Sequence, residues 1–209
     1  MLLHHHYFSV VTDQMRILLT SGLYDACEEI QIGCLGTMAE KLFLEEHLIA
    51  LYPKLKIKYY SLDYGQYEFP TLALMQADTD DFTCFYFHTK GVTKPFDSES
   101  ARWRSWLNEA VINRWKQHYE KIQEGNDVSS IAYKECPDHF SGNFWWSHKG
   151  YIDKLPPIAK MLWKSRYSAE QWVVRGYHGK FYDIATDKTQ DFHFINYKQD
   201  VSLLPDYAT

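Results

Sequence analysis

"FTCFYFHTKGVTKP" occupies residues 82–95. Residues 82–88, rich in aromatic and β-branched side chains, read as a strand. The strand ends in His88-Thr89-Lys90-Gly91, and Pro95 closes the loop beyond. The segments before it decide what kind of sheet it joins. "HHYFSVV" (5–11) reads as a first strand, followed by a helical stretch over 13–20. "EIQIGCL" (29–35) reads as a second strand. "MAEKLFLEEHLIAL" (38–51) spaces its apolar residues by three and four, an amphipathic helix stopped by Pro53. "LKIKYYSL" (55–62) is a third strand. "FPTLALMQA" (69–77) is a helix with Pro70 in its first turn. Strand and helix alternate up to residue 88, which predicts an α/β fold with a mostly parallel central sheet flanked by helices. Ligands of such sheets sit at the carboxyl ends of the strands. That rule gathers Thr12, Asp63 and His88-Thr89-Lys90-Gly91 on one rim.

The second half has a different texture. One long helix is expected over 98–123, started by Asp97 or Ser98. Trp103, Trp106, Leu107, Ala110, Val111, Trp115, Tyr119 and Ile122 form its apolar stripe, read as core. "VSSIAYKE" (128–135) and "HFSGNFWWS" (139–147) read as strands, the latter interrupted at Ser-Gly-Asn. "SAEQWVVRGY" (168–177) opens a helix with Ser168 as its cap, and "FHFINY" near the end reads as an edge strand. No repeat, low-complexity tract or linker divides the chain. One domain is expected over 1–209, in two halves, 1–97 and 98–209.

The composition fits a soluble enzyme or binding protein: 45 % hydrophobic, 23 % charged, and an unusually high 17 % aromatic. The net charge of −5 and the lack of a basic stripe argue against nucleic acid as a partner. Cys27, Cys34, Cys84 and Cys136 form no C-x-x-C pair and read as reduced thiols. No apolar run is long enough to span a bilayer. No secretory leader is evident, so a cytoplasmic location is expected, the host cytoplasm for a viral protein.

No dinucleotide fingerprint, P-loop or nucleophile elbow occurs. An α/β sheet lacking all three leaves a short list, and one member is the nucleotide-sugar transferase type, which holds a diphosphate through a metal or through cations. Lys90 supplies a point charge for a phosphate, Thr89 a hydroxyl and Gly91 a close backbone approach. His88 suits a divalent ion or a phosphate oxygen. The same four residues also fit a plain polar strand end. Glu68, before a helix start, fits either a helix cap or a ribose contact. Asp78 and Asp80 have Asp-x-Asp spacing for Mn²⁺ or Mg²⁺ but precede the strand rather than follow it. Ser141, Gly142 and Asn143 offer polar groups to a sugar. Trp145 and Trp146 offer stacking faces, on opposite sides of one strand, or simply fill the core. Glu170 is either a charge at a helix start or a general base. His178 and Lys180 fit a metal ligand and a phosphate cation, or an exposed turn.

Taken in order, several strings form one pattern: "SGL" (21–23), "YEFPTL" (67–72), "YFHTKGV" (86–92), Trp103-Arg104, "HFSGNFWWS" (139–147) and Arg166-x-x-Ala169-Glu170-x-Trp172. The chain resembles, over roughly residues 5–175, a family of small glycosyltransferases with the GT-A, Rossmann-like fold, found in bacterial polysaccharide clusters and large DNA viruses. The resemblance implies a UDP-sugar donor, a glycan or glycoprotein acceptor, and Mn²⁺ or Mg²⁺, with 1–97 as the nucleotide-binding half and 98–209 as the sugar- and acceptor-binding half. It implies Glu170 as the base if the transfer inverts; a retaining transfer would not need that base. Donor contacts would come from Thr12, Asp63, Glu68, His88, Thr89, Lys90, Gly91 and Lys180. Sugar or acceptor contacts would come from Ser141, Gly142, Asn143, Trp145 and Trp146. His88 stands where such enzymes usually carry Asp-x-Asp, so the ion would fall to His88 with His178, or to Asp78 with Asp80. Two rival functions are a non-catalytic nucleotide-sugar or carbohydrate binding module, which has no use for Glu170, and a nucleotide-sugar hydrolase or pyrophosphorylase.

Overall fold

The computed structural model describes residues 2–94, 98–135, 137–161, 165–174 and 179–186. The first element corrects the sequence reading. Helix α1 runs over Leu2–Thr20 and swallows the expected strand at 5–11. The aromatic and β-branched run Tyr7-Phe8-Ser9-Val10-Val11 imitates a strand locally. Burial is what reveals the helix: Val10, Gln14, Met15, Ile17 and Leu18 are buried, at helical spacing. A short helix α2 (Leu23–Ala26) leads to strand β1 (Ile30–Leu35).

The first crossover is as expected. A capping box joins Thr37 and Glu40 at the start of α3 (Met38–Leu44), which continues as a π-helical segment, Glu45–Ile49. Strand β2 (Leu55–Ser61) pairs in parallel with β1, from Ile30 opposite Leu55 to Leu35 opposite Ser61. Helix α4 spans Phe69–Ala77 with Pro70 in its first turn, matching the sequence reading residue for residue.

The other sheet departs from it. Strands β3 (Thr83–Tyr86), β4 (Val128–Ser130), β7 (Trp145–His148) and β8 (Phe181–Asp183) form a sheet in the order β3-β7-β4-β8. β7 is antiparallel to both neighbours, and β4 and β8 are parallel. Strands β5 (Tyr133–Lys134) and β6 (His139–Phe140) make a small separate antiparallel pair. The fold is therefore mixed α/β, and a mostly parallel central sheet is not what forms. The reason is connectivity: "HFSGNFWWS" turns at Ser-Gly-Asn and returns as β7, with no crossover helix to force a parallel course.

The expected long helix is divided into α5 (Glu99–Leu107), a π-helical segment Asn108–Asn113, and α6 (Trp115–Gln123). Ser98 caps α5 by accepting from the Ala101 amide at 3.2 Å. Helix α7 covers Lys149–Ile152. Helix α8 covers Arg166–Trp172, starting earlier than the sequence suggests, so Glu170 lies beyond its first turn. "FHFINY" lies outside the described residues.

Aromatic side chains of β3 and β7 alternate between two cores. Phe85 stacks on Trp146 (5.1 Å, 17°) and belongs to the core built with α1, α6 and the π segment. Tyr86 stacks on Trp145 (5.1 Å, 27°) and belongs to the core built with α4, α7 and α8. Each core draws on both halves of the sequence, so residues 1–97 and 98–209 share their apolar interior. Among the described residues, no helix is long and apolar enough to cross a membrane.

Candidate functional site

The strand directions place the site. β3 runs antiparallel to β7 with Tyr86 opposite Trp145. The carboxyl end of β3 therefore meets the amino end of β7. His88, two residues past β3, and Asn143, two residues before β7, share that rim. His88 Nε2 lies 3.0 Å from the Gly142 carbonyl. Gln14 of α1 steadies the same corner by donating to the His88 carbonyl at 3.0 Å.

Glu68 is the hub. It stands at the N-cap of α4, yet its side chain makes no cap hydrogen bond. Its carboxylate turns to the rim instead. Oε2 accepts from the Tyr86 hydroxyl at 3.2 Å and from Asn143 Nδ2, and Oε1 lies 3.4 Å from His88 Nδ1. Asn143 Oδ1 accepts in turn from Trp145 Nε1 at 2.8 Å. Burial, then the nearby Glu68 charge, pushes the Tyr86 hydroxyl well above the ordinary tyrosine range, so it stays a donor. The expected side-chain cap is not made; the Glu68 carboxylate instead ties "YEFP", "HTKG" and "SGN" together.

Lys90 and Glu170 form the second half of the site. Their side chains pair at 3.1 Å, largely out of solvent. Arg104, buried on α5, donates to the Lys90 carbonyl and fixes the backbone that carries the lysine. The two glycines of the motifs are packing notches for α5. Gly91 has φ 70°, and a β-carbon there would stand 2.6 Å from Ser100 Cβ. Gly142 has φ 95°, and a β-carbon there would stand 2.5 Å from Leu107 Cδ1 and 2.9 Å from Trp103 Nε1. Both positions need a residue that accepts left-handed backbone and has no side chain. A cleft of about 250 Å³ remains between α5 and this corner, lined by Lys90, Glu99, Ser100, Trp103 and Ser141.

A family model matches residues 4–170, which contain all of these groups. The chain belongs to that family, described as a domain of unknown function (DUF8361). No curated protein and no solved structure matches the chain.

In this DUF8361 member the rim collects Glu68, His88, Thr89, Lys90, Gly91, Ser141, Gly142, Asn143 and Glu170. Among the described residues, no hydrogen bond joins Thr12 or Asp63 to this network. Thr12 is exposed on α1 rather than at a strand end. Asp63 is exposed and accepts from the Gly65 amide at 2.9 Å, capping a short 3-10 turn. Lys180 precedes β8, whose start pairs with the start of β4, so it lies at the opposite end of the sheet. Trp145 and Trp146 are 0 % and 4 % exposed and serve the two cores instead of a ligand surface. Asn143 is 0 % exposed, its amide spent on Glu68 and Trp145.

The described residues do not assemble the expected divalent-ion site in this arrangement. A ligating histidine must offer a ring lone pair, but both nitrogens of His88 face protein oxygens, of Glu68 and Gly142. Asp78 and Asp80 precede β3 and so lie at its far end from His88; Asp78 accepts there from the Asp80 amide at 3.1 Å. His178 lies outside the described residues. Among those described, no three His, Cys, Asp or Glu side chains gather in a metal-binding group.

Sequence reasoning passed over three members of the site. Gln14 was hidden by the strand reading of α1, Arg104 appeared only as half of a Trp-Arg pair, and Trp103, which does pack against the core as expected, also borders the cleft. The buried-helix periodicity of 10–18 was the available signal for Gln14. For Arg104 and Trp103 the signal lay only in tertiary packing.

Proposed function

We propose that the protein is a glycosyltransferase that moves a hexosyl or deoxyhexosyl group from a UDP-linked donor to a hydroxyl of a glycan or glycoprotein. A GT-A-like arrangement of the sheet is part of this reading. One observation carries it. Residues picked out by motif alone, far apart in sequence, converge on one rim: Glu68, His88 and Lys90 with Asn143 and Glu170.

The chemistry follows from the groups present. Lys90 is the cation for the diphosphate. In the free protein its charge is held by Glu170. A bound diphosphate competes for the ammonium and leaves the Glu170 carboxylate available to the acceptor. The acceptor oxygen then bonds to the anomeric carbon as the bond from that carbon to the phosphate oxygen breaks. The acceptor proton goes to Glu170, and the nucleoside diphosphate leaves with the bonding electron pair, its charge met by Lys90. The Glu68 network acts indirectly. It holds the His88 and Asn143 segments so that Lys90 and the cleft keep their geometry.

A thermal-shift screen with nucleotide sugars tests the reading. A ligand at a hundredfold excess over its Kd adds about 2.7 kcal/mol, a rise of roughly 6 °C for a chain of this size. A rise confined to UDP and UDP-sugars is expected. No shift with any nucleotide sugar overturns the reading.

A further inference from the structure

We infer that the cleft between α5 and the Lys90 corner is the subsite for the donor monosaccharide, and that Trp103 is its stacking platform. The inference rests on the glycosyltransferase reading above and assigns the sugar to a residue that neither motif contains. The cleft, about 250 Å³, lies just under the range of sites for drug-sized ligands, a fit for one sugar ring and too small for a whole nucleotide sugar. Its lining offers a cation, a carboxylate, two hydroxyls and an indole. A pyranose uses that set: an apolar C–H face for the indole, hydroxyls for Glu99, Ser100 and Ser141, and an adjoining phosphate for Lys90.

Trp103 is held for the role. Trp106 stacks against its ring at 4.7 Å and 20°. Its Nε1 edge abuts Gly142, where no other residue leaves room. What remains of the part-exposed indole borders the cleft. Trp145 and Trp146, the tryptophans expected to meet the sugar, are closed inside the two cores. The glycine of "SGN" therefore serves a sugar site at one remove, by admitting the α5 tryptophan.

The test compares UDP with UDP-glucose, UDP-galactose and UDP-N-acetylglucosamine by calorimetric titration of the wild type, Trp103→Phe and Trp103→Ala. Trp103→Ala should weaken the preferred UDP-sugar about tenfold and UDP itself less than about twofold, and Trp103→Phe should keep the sugar to within about threefold. In nuclear magnetic resonance spectra the indole N–H signal of Trp103, identified by its loss in Trp103→Phe, should move with the UDP-sugar and stay with UDP. This second readout stands even if the alanine variant fails to fold. Equal losses for UDP and UDP-sugar, no loss for either, or an indole signal moved equally by both ligands overturns the subsite while leaving the glycosyltransferase reading intact. Failure of the wild type to bind any of these nucleotides overturns both.

Discussion

Replacing Glu68 by alanine should unfold the site from within. The carboxylate is the acceptor for the Tyr86 hydroxyl at 3.2 Å and for Asn143 Nδ2, and Tyr86 and Asn143 are 4 % and 0 % exposed. Without it both donors stay buried with no acceptor. An unsatisfied buried donor costs about 1–3 kcal/mol, so the pair costs about 4 kcal/mol together. For a chain of this length that lowers Tm by roughly 9 °C. Glu68→Gln retains one acceptor oxygen and should lose about half as much. Urea unfolding followed by tryptophan fluorescence measures the loss. A double-mutant cycle with Asn143→Ala checks its origin, because a donor already removed cannot be stranded. The double variant should be destabilised by about 1 kcal/mol less than the sum of the singles. Wild-type stability in Glu68→Ala together with lost nucleotide binding would refute this reasoning and make Glu68 a direct ligand contact.

Two further predictions concern the interior. His118 is fully buried, its Nε2 2.9 Å from the Ala110 carbonyl and its Nδ1 2.7 Å from Ser129 Oγ. Burial lowers its pKa from the ordinary 6.5 to about 4. The unfolded chain therefore takes up the proton first as pH falls, and stability drops between pH 6.5 and 4, by about 2 kcal/mol at pH 5 relative to pH 7.5. His118→Gln should lack this component in urea melts at the two pH values, and an unchanged pH dependence would count against it. Asn108, on the π segment, is 1 % exposed, and among the described residues neither its side-chain oxygen nor its nitrogen has a hydrogen-bond partner. Asn108→Leu should raise stability by about 1–2 kcal/mol, and a loss of that size would instead point to an ordered water tied to the amide.

The legible parts of the sequence were those whose cause is local. Pro70 in a first turn marks α4, and three- and four-residue apolar spacing marks the helix that begins with α3. The β1–α3–β2 crossover could be read because period and breakers agree there. The Tyr7–Val11 run could not, since its strand-like residue types are overridden by the burial pattern of the surrounding helix. The course of β7 was hidden because a four-residue strand carries no sign of its partner's direction. Trp145 and Trp146 were read as opposite-facing, and they are. That helices cover both faces of the sheet, closing both indoles in, is a tertiary fact. The site shows the same division. Chemistry-bearing residue types singled out Glu68, His88, Lys90 and Glu170, whereas the Glu68–Asn143 bond spans 75 positions and no local pattern encodes it.

Glycosyl transfer by Glu170→Gln, measured alongside its affinity for the donor, tests the central claim most directly. The wild type should release UDP and form a glycoside only when an acceptor is present. Glu170→Gln should bind UDP-sugar as tightly or more tightly, since Lys90 loses its competing partner, while its transfer rate falls by about 10²–10⁴-fold. Undiminished transfer by Glu170→Gln would contradict the account.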